Sequence, residues 1–356
     1  MELLGGLGLF VKQQEKIVLK PNVLLGSDPL TCVTTHPAIF KAAGKLLQEA
    51  GARVYYGDSS SMGKCEGNCR RAGLKQVGDE LGFTIADFDS GQTVSHKEAL
   101  LVRNFTIANG VLEADGMVSL PKFKTHGLMR FTGAVKNQFG CIPGFIKGQY
   151  HVKLADPHDF AAMLVDINTF IKPRLYIMDG IQAMEGNGPR GGKVRKMNVL
   201  LLSADPVALD ATACRMINLD PGAVPTSKPG EQSGLGTYHS ERIEIAGENL
   251  EAFYTPSFKV VRSAPQHCSS GRLQTFVRNQ VCERPAIDKV KCTVCGTCVQ
   301  MCPVKPKAVN WHSGDKTRPP TYKYDRCIRC FCCQEVCPEG AISIKNPALS
   351  RVLMKA

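Results

Sequence analysis

The sequence predicts an α/β fold: a mostly parallel sheet, followed by a small, cysteine-rich α+β unit at the C-terminal end. Three observations predict it. Short apolar, β-branched runs alternate with helical patterns from residue 16 to residue 217. Polar residues follow several of those runs directly. Eight cysteines fall in two runs of identical spacing after Lys291. A chain of 356 residues has ample length to bury a core outside the cysteine unit.

The first element is KIVL, residues 16–19, an apolar strand that Pro21 stops, leaving Lys20 and Asn22 at its C-terminal end. His36-Pro37 then opens the helical pattern AIFKAAGKLLQEAG, with Gly51 as its stop. ARVYYGDSSS reads as a strand, then Asp58 and three serines in a loop. This β-α-β succession is what argues for parallel pairing. Residues 74–81 read as a helix and FTIADFD as a strand. GVLEADGMVSLP ends in a strand that spills into a loop carrying Lys122, Lys124 and His126. LYIMDG is a strand ending at Asp179, followed by the glycine-rich loop EGNGPRGG. NVLLLSADP is another, ending at Asp205, with a helix through 207–217, and ERIEIAG is a last short strand. From residue 253 to 291 no period is visible. The expected division is an α/β domain over 1–262, a linker over 263–290, the cysteine unit over 291–345 and a tail over 346–356.

The two cysteine runs are Cys292, Cys295, Cys298 and Cys302, followed by Pro303, and Cys327, Cys330, Cys333 and Cys337, followed by Pro338. Both follow the C-x2-C-x2-C-x3-C-P spacing that holds two [4Fe-4S] clusters, in which the fourth cysteine of each run ligates the other cluster. One cluster is therefore expected on Cys292, Cys295, Cys298 and Cys337, the other on Cys327, Cys330, Cys333 and Cys302. Structural zinc sites show separated cysteine pairs instead. The stretch resembles a bacterial-type ferredoxin domain, with Val299, Val336, Ala341 and Ile342 expected against the clusters. Cys332 lies outside the spacing and is expected to be a passive neighbour, and 304–325 to be a basic loop.

Of the sixteen cysteines, eight are thus assigned to clusters, which need reduced thiols. The start MELLGGLGLF lacks the basic segment of a signal peptide, and no apolar stretch reaches membrane-spanning length. A cytoplasmic protein of anaerobic metabolism, without a membrane span, is expected. The formal charge is +12, which two clusters with their thiolates would lower to about +8. Such a surface suits docking of an acidic redox protein. No dense Lys/Arg run or RNA-binding signature points to nucleic acid.

In open α/β sheets, ligands bind outside the carboxyl ends of the strands. Lys20, Asn22, Asp58, Lys122, Lys124, His126, Asp179, Glu185 and Asp205 all occupy such positions in the pattern. KPN at 20–22, SLPKFKTH at 119–126, TGAVKNQFG at 132–140, MDGIQAMEGNGPRGG at 178–192 and SADPVALD at 203–210 resemble the domain-of-unknown-function 362 family. Members often carry a C-terminal two-cluster ferredoxin, and the resemblance implies an iron–sulfur protein without an assigned reaction. If the cations converge, Lys20, Lys122, Lys124, Lys136 and His126 line one cleft for an anionic ligand, with Asn22, Asp58, Asn137 and Glu185 as further ligand-binding candidates and His126, Lys124 and Asp179 as catalytic ones. His151 and Arg190 are weaker members of that set. GNGPRGG lacks the Gly-Lys-Ser/Thr ending of a P-loop, and no strand–GxGxxG–helix is present. A flavin held in another way stays open. Asp205 and Asp210 also fit a helix cap and a first-turn acid, the reading preferred for Asp205, and Cys65 and Cys69 read as loop thiols. The function expected is a ferredoxin-coupled oxidoreductase acting on a small anionic substrate, with a non-enzymatic electron carrier or iron–sulfur assembly protein as the alternative.

Overall fold

The structure of the protein, a computed structural model, describes residues 1–144, 146–266 and 272–347. Its first strand, β1 (Lys16–Pro21), is buried on both faces through Ile17, Val18 and Leu19. A strand covered on both sides reads as a continuous apolar run, which is why KIVL is legible. Helix α1 (Pro37–Glu49) starts at Pro37 because the His36 side chain accepts from the Ala38 N–H, and it leads to β2 (Arg53–Tyr56). Helices α2 (Cys65–Arg71) and α3 (Leu74–Leu81) precede β3 (Thr84–Ile85). Strands β4 (Gly91–Ser95) and β5 (Asn104–Ala108) form a separate antiparallel hairpin. After the short α4 (Asn109–Leu112) come β6 (Gly116–Leu120), β7 (Lys122–His126) and β8 (Arg130–Phe131). Then follow α5 (Gly133–Asn137), α6 (Ile146–Lys153) and α7 (Pro157–Ile171). Strands β9 (Leu175–Glu185) and β10 (Lys193–Ser203) lead to α8 (Pro206–Met216) and α9 (Ser227–Gln232).

The main sheet runs β3-β2-β1-β6-β9-β7-β8, with β10 also on β9. β1 pairs in parallel with β2 and β6, and β9 in parallel with β6 and β7. The order of the strands reverses between β1 and β6, the kind of point at which an open α/β sheet leaves a crevice at its carboxyl edge. The architecture is therefore the α/β fold with a mostly parallel sheet, followed by a ferredoxin-type α+β unit.

Three local expectations need correction. The segment carrying Lys122, Lys124 and His126 is a strand, buried throughout, because β9 pairs with it through Lys122–Asp179 and Lys124–Met184. LYIMDG does not end at Asp179: β9 continues to Glu185 and turns back as an antiparallel hairpin into β10. ERIEIAG forms no strand but a 3-10 turn, Ser240–Arg242, and exposed irregular chain, since among the described residues no strand pairs with it.

Towards the C-terminus, helix α10 (Arg272–Val281) precedes β11 (Arg284–Ile287), which pairs antiparallel with the last strand. Between them lie α11 (Thr297–Met301), β12 (Val309–Asn310), β13 (Thr321–Tyr322), α12 (Cys332–Val336) and β14 (Ile342–Lys345). Part of the stretch expected as linker is thus ordered into the cysteine unit's sheet. The expected tail lies outside the described residues apart from Asn346 and Pro347. Arg130 locks the unit in place: its guanidinium donates to Glu283 at 2.9 Å and to the carbonyls of Gly127, Ser263 and Ala264. The glycine-rich turn does the same from the other side. Gln334 Nε2 donates to Asn187 Oδ1 and Gly188 O, and Asn187 Nδ2 to Ile342 O.

Candidate functional site

The sulfurs come first, because their placement is set by spacing alone. Cys292, Cys295, Cys298 and Cys337 line one hollow of the C-terminal unit. Cys302, Cys327, Cys330 and Cys333 line a second. Each hollow takes three cysteines from one run and the fourth from the other. None of the eight is in a disulfide. Polar hydrogens already point at several sulfurs: Ala308 N–H to Cys302 Sγ at 3.3 Å and Tyr322 O–H to Cys333 Sγ at 3.2 Å. Donors aimed at sulfur stabilise thiolates, so the residues present fit two cubane clusters. Val299, Ala341 and Ile342 pack in the core around the sulfurs.

The polar strand-end residues meet. Lys20 Nζ pairs with Asp58 Oδ1 at 2.8 Å, and the other Asp58 oxygen accepts from the Val23 N–H. Lys122 Nζ pairs with Asp179 Oδ2 at 2.7 Å, an oxygen that also accepts from the His36 N–H. Lys124 Nζ donates to Asn22 Oδ1 and to the Val33 carbonyl, both at 2.6 Å. Asn22 Nδ2 in turn donates to Asn137 Oδ1 at 3.0 Å. Gly140 permits the approach, since a Cβ there would run into the Asp58 carboxylate. All of this lies where the sheet topology places a crevice.

Within the network, the residues divide into two layers. Asn22, Asp58, Ser59, Ser60, Lys136 and Asn137 line a cavity of about 90 Å³, together with Lys147 and His151. Lys20, Lys122, Lys124, His126 and Asp179 stand behind that wall, buried and paired. Glu185 stands apart: it accepts from the Lys259 N–H and lines a different cavity, beside the glycine-rich turn. Arg190 donates to the Val336 carbonyl. Asp205 caps α8, accepting from Val207 and Ala208 N–H, and Asp210 accepts from the Ala134 and Val135 N–H groups at the start of α5. Cys65 and Cys69 sit on a helix, not a loop, with sulfurs 4.0 Å apart in the core.

The far wall of the cavity comes from the cysteine unit. Cys332, Glu335 and Val336 of α12, with Met301, close it. Lys147 and His151 lie one helical turn apart on α6, and Cys332 and Glu335 nearly so on α12, so each pair shares a helix face. That spacing was the one sequence signal for Lys147 and Glu335, and it is visible only once the helices are known.

Electrostatics follow from burial. Burial, Lys136 and Lys122 push the Lys124 ammonium down to about 7, and burial brings Lys147 to about 8. The His126 imidazole falls to about 4, first through burial and then through Lys136. Its Nδ1 accepts from the Leu128 and Met129 N–H groups, so the neutral ring carries its proton on Nε2. That Nε2 lies 2.8 Å from Glu335 Oε1, within ion-pair range but off the line of a hydrogen bond. Burial would raise Glu335, but Lys136, His126 and His151 outweigh it and hold the carboxyl well below its usual range. Lys136 has no hydrogen bond or ion pair of its own among the described residues, and its ammonium lies 6.0 Å from the Phe139 ring centre.

His151 stacks on Phe160 with ring centres 4.4 Å apart, and burial lowers its pKa to about 4. An unfolded chain takes up this proton near pH 6.5 while the folded one does not. Stability is then present above pH 6.5 and lost as pH falls toward 4. His151→Phe is expected to flatten that slope in urea denaturation between pH 7 and pH 5. An unchanged slope would remove His151 as its source.

Three comparisons bear on the chain. The family described as a domain of unknown function (DUF362) matches residues 17–215, and the 4Fe-4S dicluster domain matches residues 284–338. A thylakoid-associated protein of Synechocystis sp. is 36% identical over 242 residues, 68% of this chain and 75% of that protein. Among solved structures, the lactate racemase apoprotein of Thermoanaerobacterium thermosaccharolyticum aligns with a TM-score of 0.43 at 11% identity, over 59% of this chain and 51% of its own. A Thermotoga maritima protein aligns with a TM-score of 0.34 at 14% identity, over 57% and 52%. The chain spans about half the length of these two structures. No described helix is long and apolar enough to cross a membrane.

Proposed function

The chain belongs to the DUF362 family and ends in a 4Fe-4S domain for iron–sulfur electron transfer, and from that premise we propose an oxidoreductase whose two clusters serve a small anion held at the carboxyl edge of the α/β sheet. The observation that supports this reading is the shared cavity. Its one wall is cationic and belongs to the α/β domain; its other wall is the helix of the second cysteine run.

When bound, the clusters supply one-electron transfers. The chain's residues do the rest. Lys136 and Lys147 attract the anion, with His151, Asn22 and Asn137 orienting it. At about 90 Å³ the space falls well short of the roughly 300–1,000 Å³ of drug-sized sites, which favours a carboxylate or inorganic oxyanion over a flavin. Burial between the two domains excludes water and strengthens each charge. The neutral His126 lies 2.8 Å from Glu335, which lines the cavity, so the ring positions that carboxylate from behind and is not itself a proton source. Lys20, Lys122, Lys124 and Asp179 act as positioning residues, fixing Asp58, β7 and Asn22.

The test is anion binding by anaerobic, cluster-loaded protein. Calorimetry against a panel of carboxylates and oxyanions should find one whose affinity falls about tenfold or more in Lys136→Ala, a difference of roughly 1.4 kcal/mol. Iron content should stay unchanged in that variant. If no anion binds the wild type, a carrier without a substrate remains.

A further inference from the structure

We propose that the face around Cys295 and Val290 is the docking surface for an acidic electron-carrier protein. Cys295 is the one exposed sulfur among the eight cysteines of the two runs. Val290, in the turn that leads into the same run, is 96% exposed, the most exposed large apolar side chain described. The turn that presents it is built, not loose: Asp288 Oδ1 accepts from the Val290 and Lys291 N–H groups, and Asp288 O from the Cys292 N–H.

Around this apolar tip the charge is mainly positive. Lys291 from the turn, Lys193 from β10 and Lys259 from the α/β domain border one cavity of about 250 Å³, with Asp288 and Glu185 as its acids. Glu185 is buried and already accepts from the Lys259 N–H, and the exposed acids, Asp288 and the Glu339 that lines the Cys295 hollow, are outnumbered by the exposed Lys193, Lys259, Lys291 and, next to Val290, Lys289. An apolar centre with a charged rim is the anatomy of a transient protein interface, and complementary charge raises the rate at which such partners meet.

The position also gives the path a direction. Cys295 of the first hollow is exposed, whereas α12, which carries Cys333 of the second, lines the anion cavity next to Met301 of α11. With a cluster held by Cys292, Cys295, Cys298 and Cys337, the one electron lost by the oxidised carrier would enter at this face and be passed inward. This direction rests on the oxidoreductase reading, but the docking surface does not.

The experiment uses the full cluster-loaded chain and a reduced acidic [2Fe-2S] ferredoxin as probe, with bleaching of the cluster absorbance as readout. In the triple variant Lys193→Glu, Lys259→Glu, Lys291→Glu, the bimolecular rate at low salt should fall at least tenfold. The wild-type rate should drop steeply with added salt, and the variant's should not. Reduction by the methyl viologen radical cation should not slow in the variant, which shows intact clusters. An unchanged ferredoxin rate in the triple variant overturns the proposal. So does a variant that keeps that rate but no longer floats with phosphatidylserine vesicles, since the face would then be a membrane contact. Anion binding measured on the wild-type protein separates the two readings: salt-sensitive docking with no anion bound keeps this surface and removes the oxidoreductase.

Discussion

Cys333→Ser is expected to cut iron and labile sulfide close to half, from about eight of each to about four, while Cys332→Ser leaves both near the full value. The two cysteines are adjacent on α12, where successive side chains point about 100° apart. Cys333 faces the hollow shared with Cys302, Cys327 and Cys330. Cys332 faces the anion cavity beside Glu335. A serine at 333 leaves three thiolates for a cubane that needs four. Iron and sulfide assays on anaerobically reconstituted protein, with low-temperature spin resonance of the reduced state, read the result. Equal losses in both variants would mean that α12 is turned the other way. The same measurement separates Cys302→Ser from Cys298→Ser: each should cost a different cluster, although both lie in the first run.

The second large effect is on stability. Asp179→Ala is expected to destabilise the fold by about 3–5 kcal/mol, because it leaves the Lys122 ammonium buried without its partner. It also strips the acceptor from the His36 N–H, just before α1. Lys122→Met with Asp179→Leu, which removes both charges, should recover much of that loss. Urea denaturation with absorbance of the clusters as a second probe checks both. If the single variant unfolds like the wild type, the pair is hydrated and the buried layer of the site is not as dry as its burial indicates. A loss of turnover without a loss of stability would instead return Asp179 to a direct chemical role.

Much of this protein was legible in its sequence wherever the cause is local. Ile17, Val18 and Leu19 read as a central strand because both their faces are covered, and α1, α3 and α8 read as helices because their apolar period is short-range. Cysteine spacing alone predicted two fourfold sets, and the hollows hold the same sets. The polar residues at strand ends were visible as candidates, but their layering was not. KFKTH reads as a loop because it is polar, yet it is a buried strand, since Lys122 and Lys124 find partners in Asp179 and Asn22, 57 and 102 residues away. No local window contains those partners. The β9–β10 hairpin, by contrast, pairs strands adjacent in sequence, and ERIEIAG has no strand partner among the described residues. Only the tertiary structure decided that Lys147 and His151 join Lys136 at one cavity, that Glu185 does not, and that Cys332 and Glu335 close it. Sequence determines which side chains need a partner; which one each receives depends on the packing of distant elements, where burial makes an unpaired charge too costly to keep.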